Sequence, residues 1–155
     1  MAGSKKNKQV KQRKIPGESS IVQSRNPSQY YSQPPAWTFA NADREMWAFT
    51  KEHIGELIWT EILPRLKALE TQSWSEILVK NKKQNHSLNL NDLNKIAQDR
   101  LISKFIEAQS LISLRITGNH RLYGYMTGNV FNILWFDDMH GDNKSCVCRS
   151  RLKHT

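Results

Sequence analysis

The chain has 155 residues, enough for one ordinary domain and too few for two full-sized ones. Its net charge of +9 is unevenly spread: residues 1–36 hold seven Lys/Arg and one acid, Glu18, whereas residues 37–155 carry 16 basic and 13 acidic groups and all five Trp. No apolar run reaches the roughly 18 residues of a membrane-spanning helix, and no apolar stretch follows the basic N-terminus as a secretory signal requires. Cys146 and Cys148 are too few for a disulfide framework and lack the companions of a zinc site. Free thiols in a reducing cytoplasm are therefore expected, with no metal and no cofactor.

Residues 1–35 are rich in Lys, Gln, Ser and Pro and almost devoid of large apolar side chains before Tyr30 and Tyr31. Such a segment buries too little apolar surface to offset its ordering entropy, so it is expected to be a disordered basic tail. Its cluster of Lys5, Lys6, Lys8, Lys11, Arg13 and Lys14 suits phosphate groups, since each neutralised phosphate releases counterions. A solvated tail is the alternative. Residues 36–155 form the expected single α+β domain.

Within that domain, 36–40 is short and aromatic and reads as a strand, or as a staple against the next helix. Helix is predicted over 43–69, where Trp47, Ile54, Ile58, Ile62, Leu66 and Leu69 recur at helical spacing; Asn41 or Asp43 can cap it, and Pro64 should kink or break it near Leu63. Residues 71–77 continue as a short helix carrying Trp74 and Ile77. The stretch 80–86 is a polar, basic loop, in which Lys82 and Lys83 either face a nucleic acid or are simply solvated. A second helix capped by Asn91, with Leu93, Ile96, Leu101 and Phe105 on one side, should end near Ala108.

Beyond 110 the period changes to two. Residues 111–117 place Ile112, Leu114 and Ile116 on one face and Leu111, Ser113 and Arg115 on the other. Gly118-Asn119 suits a hairpin turn, 121–126 returns as a strand, 127–129 turns again, and 130–136 is apolar on both faces apart from Asn132. The expectation is a three-stranded antiparallel meander with the helices packed on one face.

Chemically capable residues gather at the strand ends. Arg121, Tyr123 and Tyr125 share one face of their strand, and Arg115 can lie across the hairpin from them. Guanidiniums fork onto phosphate and phenols stack bases, so this face suits a phosphodiester backbone. The competing expectation is that both tyrosines pack under helices while Arg121 pairs with Asp137 or Asp138. His140 follows the last strand, and imidazole titrates near neutral pH, which suits proton transfer in RNA cleavage. Metal-independent cleavage needs a base, a cation on the phosphate oxygens and an acid. His140, with Arg121 and Arg115, can supply the first two, and Tyr125 or a second histidine the third. A hydrogen-bonded surface histidine is the plainer account of His140. A metal on Asp137, Asp138 and His140 is disfavoured, because adjacent residues of an extended chain point to opposite sides.

The run Arg115-Ile116-Thr117-Gly118-Asn119-His120-Arg121-Leu122-Tyr123-Gly124-Tyr125 resembles the strand–hairpin–strand core of the RelE/HigB superfamily of bacterial toxins, and Met139-His140 stands where HigB-like members often carry Tyr-His. That resemblance implies a RelE-like fold and an mRNA endoribonuclease, ribosome-dependent or free, neutralised by a cognate antitoxin. It also implies phosphate contacts at Arg115 and Arg121 and an acid or base at His140. The wider segment 113–137, with Lys153-His154-Thr155, is similar to a widespread, uncharacterised group of small bacterial proteins. Three functions follow as expectations: an RNA-directed, toxin-like endoribonuclease; a non-catalytic RNA- or ribosome-binding module; and an interaction protein using the apolar strand 130–136.

Overall fold

The computed structural model describes residues 21–22, 29–142 and 145–148. The basic cluster from Lys5 to Lys14 lies outside the described residues. In chain order the strands are β1 (Ile21–Val22), β2 (Ala36–Thr38), β3 (His86–Asn89), β4 (Ile106–Glu107), β5 (Ser110–Arg115), β6 (Arg121–Thr127) and β7 (Val130–Asp137). The α-helices are α1 (Lys51–Ile54), α2 (Leu63–Leu69) and α3 (Lys95–Ser103). Wider π-turns occupy Ile58–Ile62 and Glu76–Lys80.

The protein is α+β, with a mixed five-stranded sheet in the order β2-β7-β6-β5-β3. Strands β5, β6 and β7 pair antiparallel in succession, as Arg115↔Arg121 and Arg121↔Asp137 record. The sheet extends past those three: β2 adds parallel to β7, and β3 adds antiparallel to β5 with His86 opposite Ser113. No strand is expected from the sequence here: His86 closes the predicted loop 80–86, and 87–89 precede the helix predicted from Asn91. The β3 residues His-Ser-Leu-Asn carry one apolar side chain, Leu88, and little β-propensity, so their pairing is imposed by β5.

Both faces of the sheet are covered, which corrects the expectation of helices on one face only. The first face packs Ile112, Leu114, Leu122, Phe131, Ile133 and Phe136 against Ile54, Ile62, Leu66, Leu69, Trp74 and Ile77 of the helical segments. The second face packs Leu111, Tyr123, Tyr125, Leu134 and Trp135 against Leu93, Ala97 and Leu101 around α3, and against Trp47 and residues 146–148. A double-covered sheet explains why β6 and β7 are nearly continuous in apolar residues.

A bulge lies between Tyr123 and Gly124, where Tyr123 pairs with Trp135 but Gly124 pairs with Ile133. The extra residue places Leu134 and Trp135 consecutively on the second face and reverses the alternation of β7 around it. Gly124 is required there by close approach: a Cβ atom would stand 2.1 Å from the Asn132 carbonyl oxygen and 2.7 Å from Phe131 Cζ.

The helical expectations change at specific residues. Between 43 and 50 the chain is irregular, and Trp47 has a φ of 43°. Asp43 accepts the Glu45 and Met46 N–H groups, but no helix follows until α1, because these residues run along β7 instead, with Asp43 N–H to Leu134 O and Phe136 N–H to Trp47 O. Pro64 does not divide the helix: the π-turns of Ile58–Ile62 run directly into α2 with Ile62 and Leu63 both in helical φ/ψ, the wider turns accommodating the proline, and the gap in the helical path falls at Gly55, with a φ of 55°. The cap of α3 is Asn94, whose side chain accepts from Ile96 N–H, and not Asn91. Helix α3 ends at Ser103, and Phe105 turns outward with a φ of 55° and 74 % exposure; Ile96 is exposed as well, so neither joins Leu93 and Leu101 in the core. Two parts of the expected tail belong to the fold: Ile21 and Val22 pair in parallel with Ile106 and Glu107, and Tyr30 is buried in the first core.

Candidate functional site

One row of residues crosses the sheet at the end of the β5–β6 hairpin. Arg115 closes β5, Arg121 opens β6 directly opposite, and Asp137 closes β7 opposite Arg121. All three belong to the face that carries Tyr123 and Trp135, because side chains repeat every two residues. His140 is tied to the same hairpin by its N–H to the Asn119 carbonyl at 3.2 Å. The structure therefore brings together Arg115, Arg121 and His140, three of the residues singled out for chemistry.

Each arginine is held by backbone. Arg121 Nη1 donates to the carbonyls of Gly118 at 2.6 Å and His120 at 3.0 Å. Arg65, from α2, donates its Nε to the Arg115 carbonyl at 3.0 Å. The Arg115 N–H is taken by Oδ1 of the buried Asn85, whose Nδ2 reaches the Ile77 carbonyl at 3.3 Å. Burial, and then the Arg115 charge, push the pKa of both Arg65 and Arg121 down. Among the described residues no carboxylate forms an ion pair with any of the three. The expected pairing of Arg121 with Asp137 does not form: Asp137 instead accepts the Met139 and Val147 N–H groups, each at 2.8 Å. Glu61, one helical turn before Arg65, is committed to His120 Nδ1 at 2.6 Å and Thr117 Oγ1 at 3.0 Å.

Beneath this row is a buried polar cluster. The Tyr123 hydroxyl lies 2.9 Å from Cys148 Sγ and 3.3 Å from His140 Nδ1, and Cys148 Sγ stands 4.0 Å from the same nitrogen. Burial pushes the Cys148 thiol up to about 11, against the opposing hydrogen bond from Tyr123, so the cysteine is a resting thiol and not an activated nucleophile. Burial, with the Cys148 charge, raises Tyr123 as well. Asp137 is raised to about 6, chiefly by burial and against the two N–H groups it accepts. Ser113 Oγ, in the next row of the same face, is buried without a fully formed hydrogen bond.

The tyrosines do not form an open base-stacking face. Tyr123 and Tyr125 are both fully buried, and the Tyr125 hydroxyl accepts from Asn41 Nδ2 at 3.0 Å, two residues farther along β6 from the His140 contact. Burial holds Tyr125 at about 12, and the phenol in contact with His140 is that of Tyr123, not the Tyr125 expected as the acid. The second-histidine option is changed too. His120 packs edge-on against Phe136, a first-face residue, with ring centres 5.5 Å apart. Lys82 and Lys83 are exposed in the turn before β3. Strand β7 is buried and offers no docking surface; the exposed large apolar side chains are elsewhere, among them Trp59 at 67 %. A cavity of about 320 Å³ beside α1, lined by Phe49, Ile54, Ile58 and Trp59, includes none of the arginines.

Arg65, Cys148 and Asn85 reach the site from outside the stretch on which the sequence reading concentrated. No spacing rule marks them: Arg65 sits on an ordinary amphipathic helix, and Cys148 reads as an inert thiol. Among the described residues no group of three His, Cys, Asp or Glu is arranged to hold a metal ion, and no described helix is long and apolar enough to cross a membrane. Comparison with known proteins adds no relative: no family model, no curated protein and no solved structure matches this chain.

Proposed function

We propose that this chain is an RNA-directed protein whose working end is the row of Arg115 and Arg121 beside His140. The observation that carries the reading is a set of guanidiniums with no carboxylate partner among the described residues, set at a sheet margin next to an imidazole. Like charges directly opposed across a hairpin oppose folding, and an anionic ligand relieves that repulsion. As a RelE-like, metal-independent endoribonuclease, the chain would use His140 to take the proton of a 2′-hydroxyl. The 2′ oxygen then bonds to phosphorus as the P–O5′ bond breaks and the 5′ oxygen takes a proton from water, whose hydroxide takes back the proton held by His140. The products are a 2′,3′-cyclic phosphate and a 5′-hydroxyl, with Arg115 and Arg121 neutralising the non-bridging oxygens. The toxin resemblance adds a cytoplasmic setting, the ribosome as a possible platform and a cognate antitoxin as partner.

The burial of Tyr123 and Tyr125 favours a second reading, a non-catalytic RNA- or ribosome-binding module, because the expected proton donor is not at the surface. One experiment separates the two. Purified protein is incubated with a labelled mRNA in EDTA, with and without ribosomes, beside His140→Ala. Cleavage lost in the variant supports the nuclease. RNA binding without cleavage, weakened by Arg121→Gln and unmoved by His140→Ala, supports the binder; neither binding nor cleavage overturns the RNA reading.

A further inference from the structure

Arg65 gives the basic row a third guanidinium, delivered from the opposite side of the sheet. Strand β3 begins at His86, opposite Ser113, so among the described residues the edge of β5 at Arg115 has no neighbouring strand. Arg65 and Asn85 fill that gap, the first on the Arg115 carbonyl and the second on its N–H. Arg115 thus stands between Arg65 and Arg121, close enough that its charge acts on both. Arg115 is exposed and its neighbours are partly so. One N–H of Arg65 and one nitrogen of Arg121 are spent on backbone carbonyls, which fixes the position of each fork while leaving further donors on both.

The nearest helical acid does not offset this charge. Glu61 is one turn from Arg65, where an i,i+4 pair could form, yet its carboxylate goes to His120 and Thr117. Arg65 and Arg115 therefore have no carboxylate partner among the described residues, and the acid whose charge reaches Arg121, the buried Asp137, gives its oxygens to the Met139 and Val147 N–H groups. An internal phosphodiester brings one negative charge, whereas a phosphate monoester brings about −1.5 to −2 and three acceptor oxygens.

We propose that Arg65, Arg115 and Arg121 form a binding site for a phosphate monoester, the terminal phosphate of an RNA strand being the carrier consistent with the reading above. The proposal rests on the RNA reading for the identity of the carrier alone. The test uses the full chain in two arms. In the first, inorganic phosphate is titrated at constant ionic strength while the arginine Nε–H resonances are followed. Saturable shifts at Arg65 and Arg121, weakened about tenfold by Arg115→Gln, are expected. Arg115 is exposed, so this variant folds, and its thermal unfolding checks that it does; Arg65→Lys keeps the charge while removing the fork. In the second arm a short oligoribonucleotide is compared with hydroxyl ends, a 5′-phosphate and a 3′-phosphate. One phosphorylated form should bind about tenfold more tightly than the hydroxyl form. Equal affinity for all three overturns the monoester site and leaves the RNA reading standing. Saturable inorganic phosphate binding without any affinity for the oligoribonucleotides keeps the site and overturns RNA as its carrier. No saturable shift with phosphate, or no response to Arg115→Gln, overturns the site itself.

Discussion

The two faces of the sheet are covered by different kinds of chain, and their chemistry differs accordingly. The first face meets α1, α2 and the π-turns, whose backbone groups are largely bonded within their own turns, so its core consists of apolar side chains from Ile54 to Phe136. The second face meets α3 but also two irregular stretches, 43–50 and 145–148. Irregular backbone laid on a core needs acceptors for its N–H groups. Two buried carboxylates provide them: Asp43 takes Glu45 and Met46, and Asp137 takes Met139 and Val147. Polar groups are therefore buried on the side where secondary structure runs out.

The two carboxylates differ in their counter-charge. Asp43 is also gripped by Arg100 through Nε at 2.5 Å and Nη2 at 2.8 Å, and by Trp135 Nε1 at 3.0 Å. Burial pushes Asp43 up, but these hydrogen bonds, with those from the backbone, outweigh it and hold the carboxyl at about 2. Asp137 has no such fork and sits at about 6. Their effects on stability have opposite signs. With a folded pKa below its ordinary 3.8, Asp43 stabilises the fold above that pH and loses this contribution as pH falls towards 2. With a folded pKa above 3.8, Asp137 binds its proton more tightly folded than unfolded, so its contribution declines as pH rises from about 4 to about 6.

The largest expected effect lies at the bulge that both faces share. Gly124→Ala drives a Cβ into the Asn132 carbonyl, and flexible side-chain movement cannot relieve a backbone clash. We expect a loss above about 4 kcal/mol, read as failure to yield a cooperative unfolding transition; a normally folded variant would show that the bulge can open. Next, Arg100→Ala strands a buried carboxylate and should cost about 3–5 kcal/mol near neutral pH. The matching change on the first face, Leu114→Ala, should cost about 2–5 kcal/mol. Denaturant unfolding at several pH values separates the faces: the Arg100 cost should shrink towards pH 4 as the unpaired, buried Asp43 of the variant takes up a proton, and the Leu114 cost should not change. Identical pH dependence for the two would erase the distinction.

A smaller effect is expected from Asp137→Asn, which should remove a decline of at most about 3 kcal/mol between pH 4 and pH 6. Urea midpoints of both proteins across that interval check it, and parallel curves would mean that Asp137 titrates normally. The smallest is Ser113→Ala. Removing a buried, unsatisfied hydroxyl should leave stability unchanged or raise it by about 1 kcal/mol. A clear loss by calorimetry would reveal a hydrogen bond from Ser113 within the Tyr123 cluster.

The readable parts of the sequence were those governed by local rules. The period-two alternation of 111–117 placed Ile112 and Leu114 opposite Leu111 and Ser113, and the two cores divide them that way. Pro64 suggests a break because its ring clashes inside an α-helix, yet the π-turns of Ile58–Ile62 just before it carry the helical path through. The segment 43–50 was misread as helix because its apolar spacing, from Trp47 onward, is equally satisfied by irregular chain bonded along β7. Strand β3 is not legible locally because its pairing comes from β5, where Leu88 lies opposite Leu111 and Asn89 opposite Ser110, beyond any local window. At the candidate site Arg115, Arg121 and His140 were legible from the hairpin alone, whereas Arg65 and Asn85 were not, since each arrives through the open edge of β5.

By itself, the sequence determined the α+β class, the strand periodicity and the concentration of arginine and histidine at one hairpin, because each depends on neighbours a few residues apart. Tertiary structure alone decided that helices cover both faces, that Tyr123 and Tyr125 are buried, that Asp43 pairs with Arg100 while Asp137 does not pair with Arg121, and that Arg65 joins the basic row. The physical reason is that burial and charge pairing depend on distances through space, and residues such as Asp43 and Arg100 meet only once the sheet has brought their segments together.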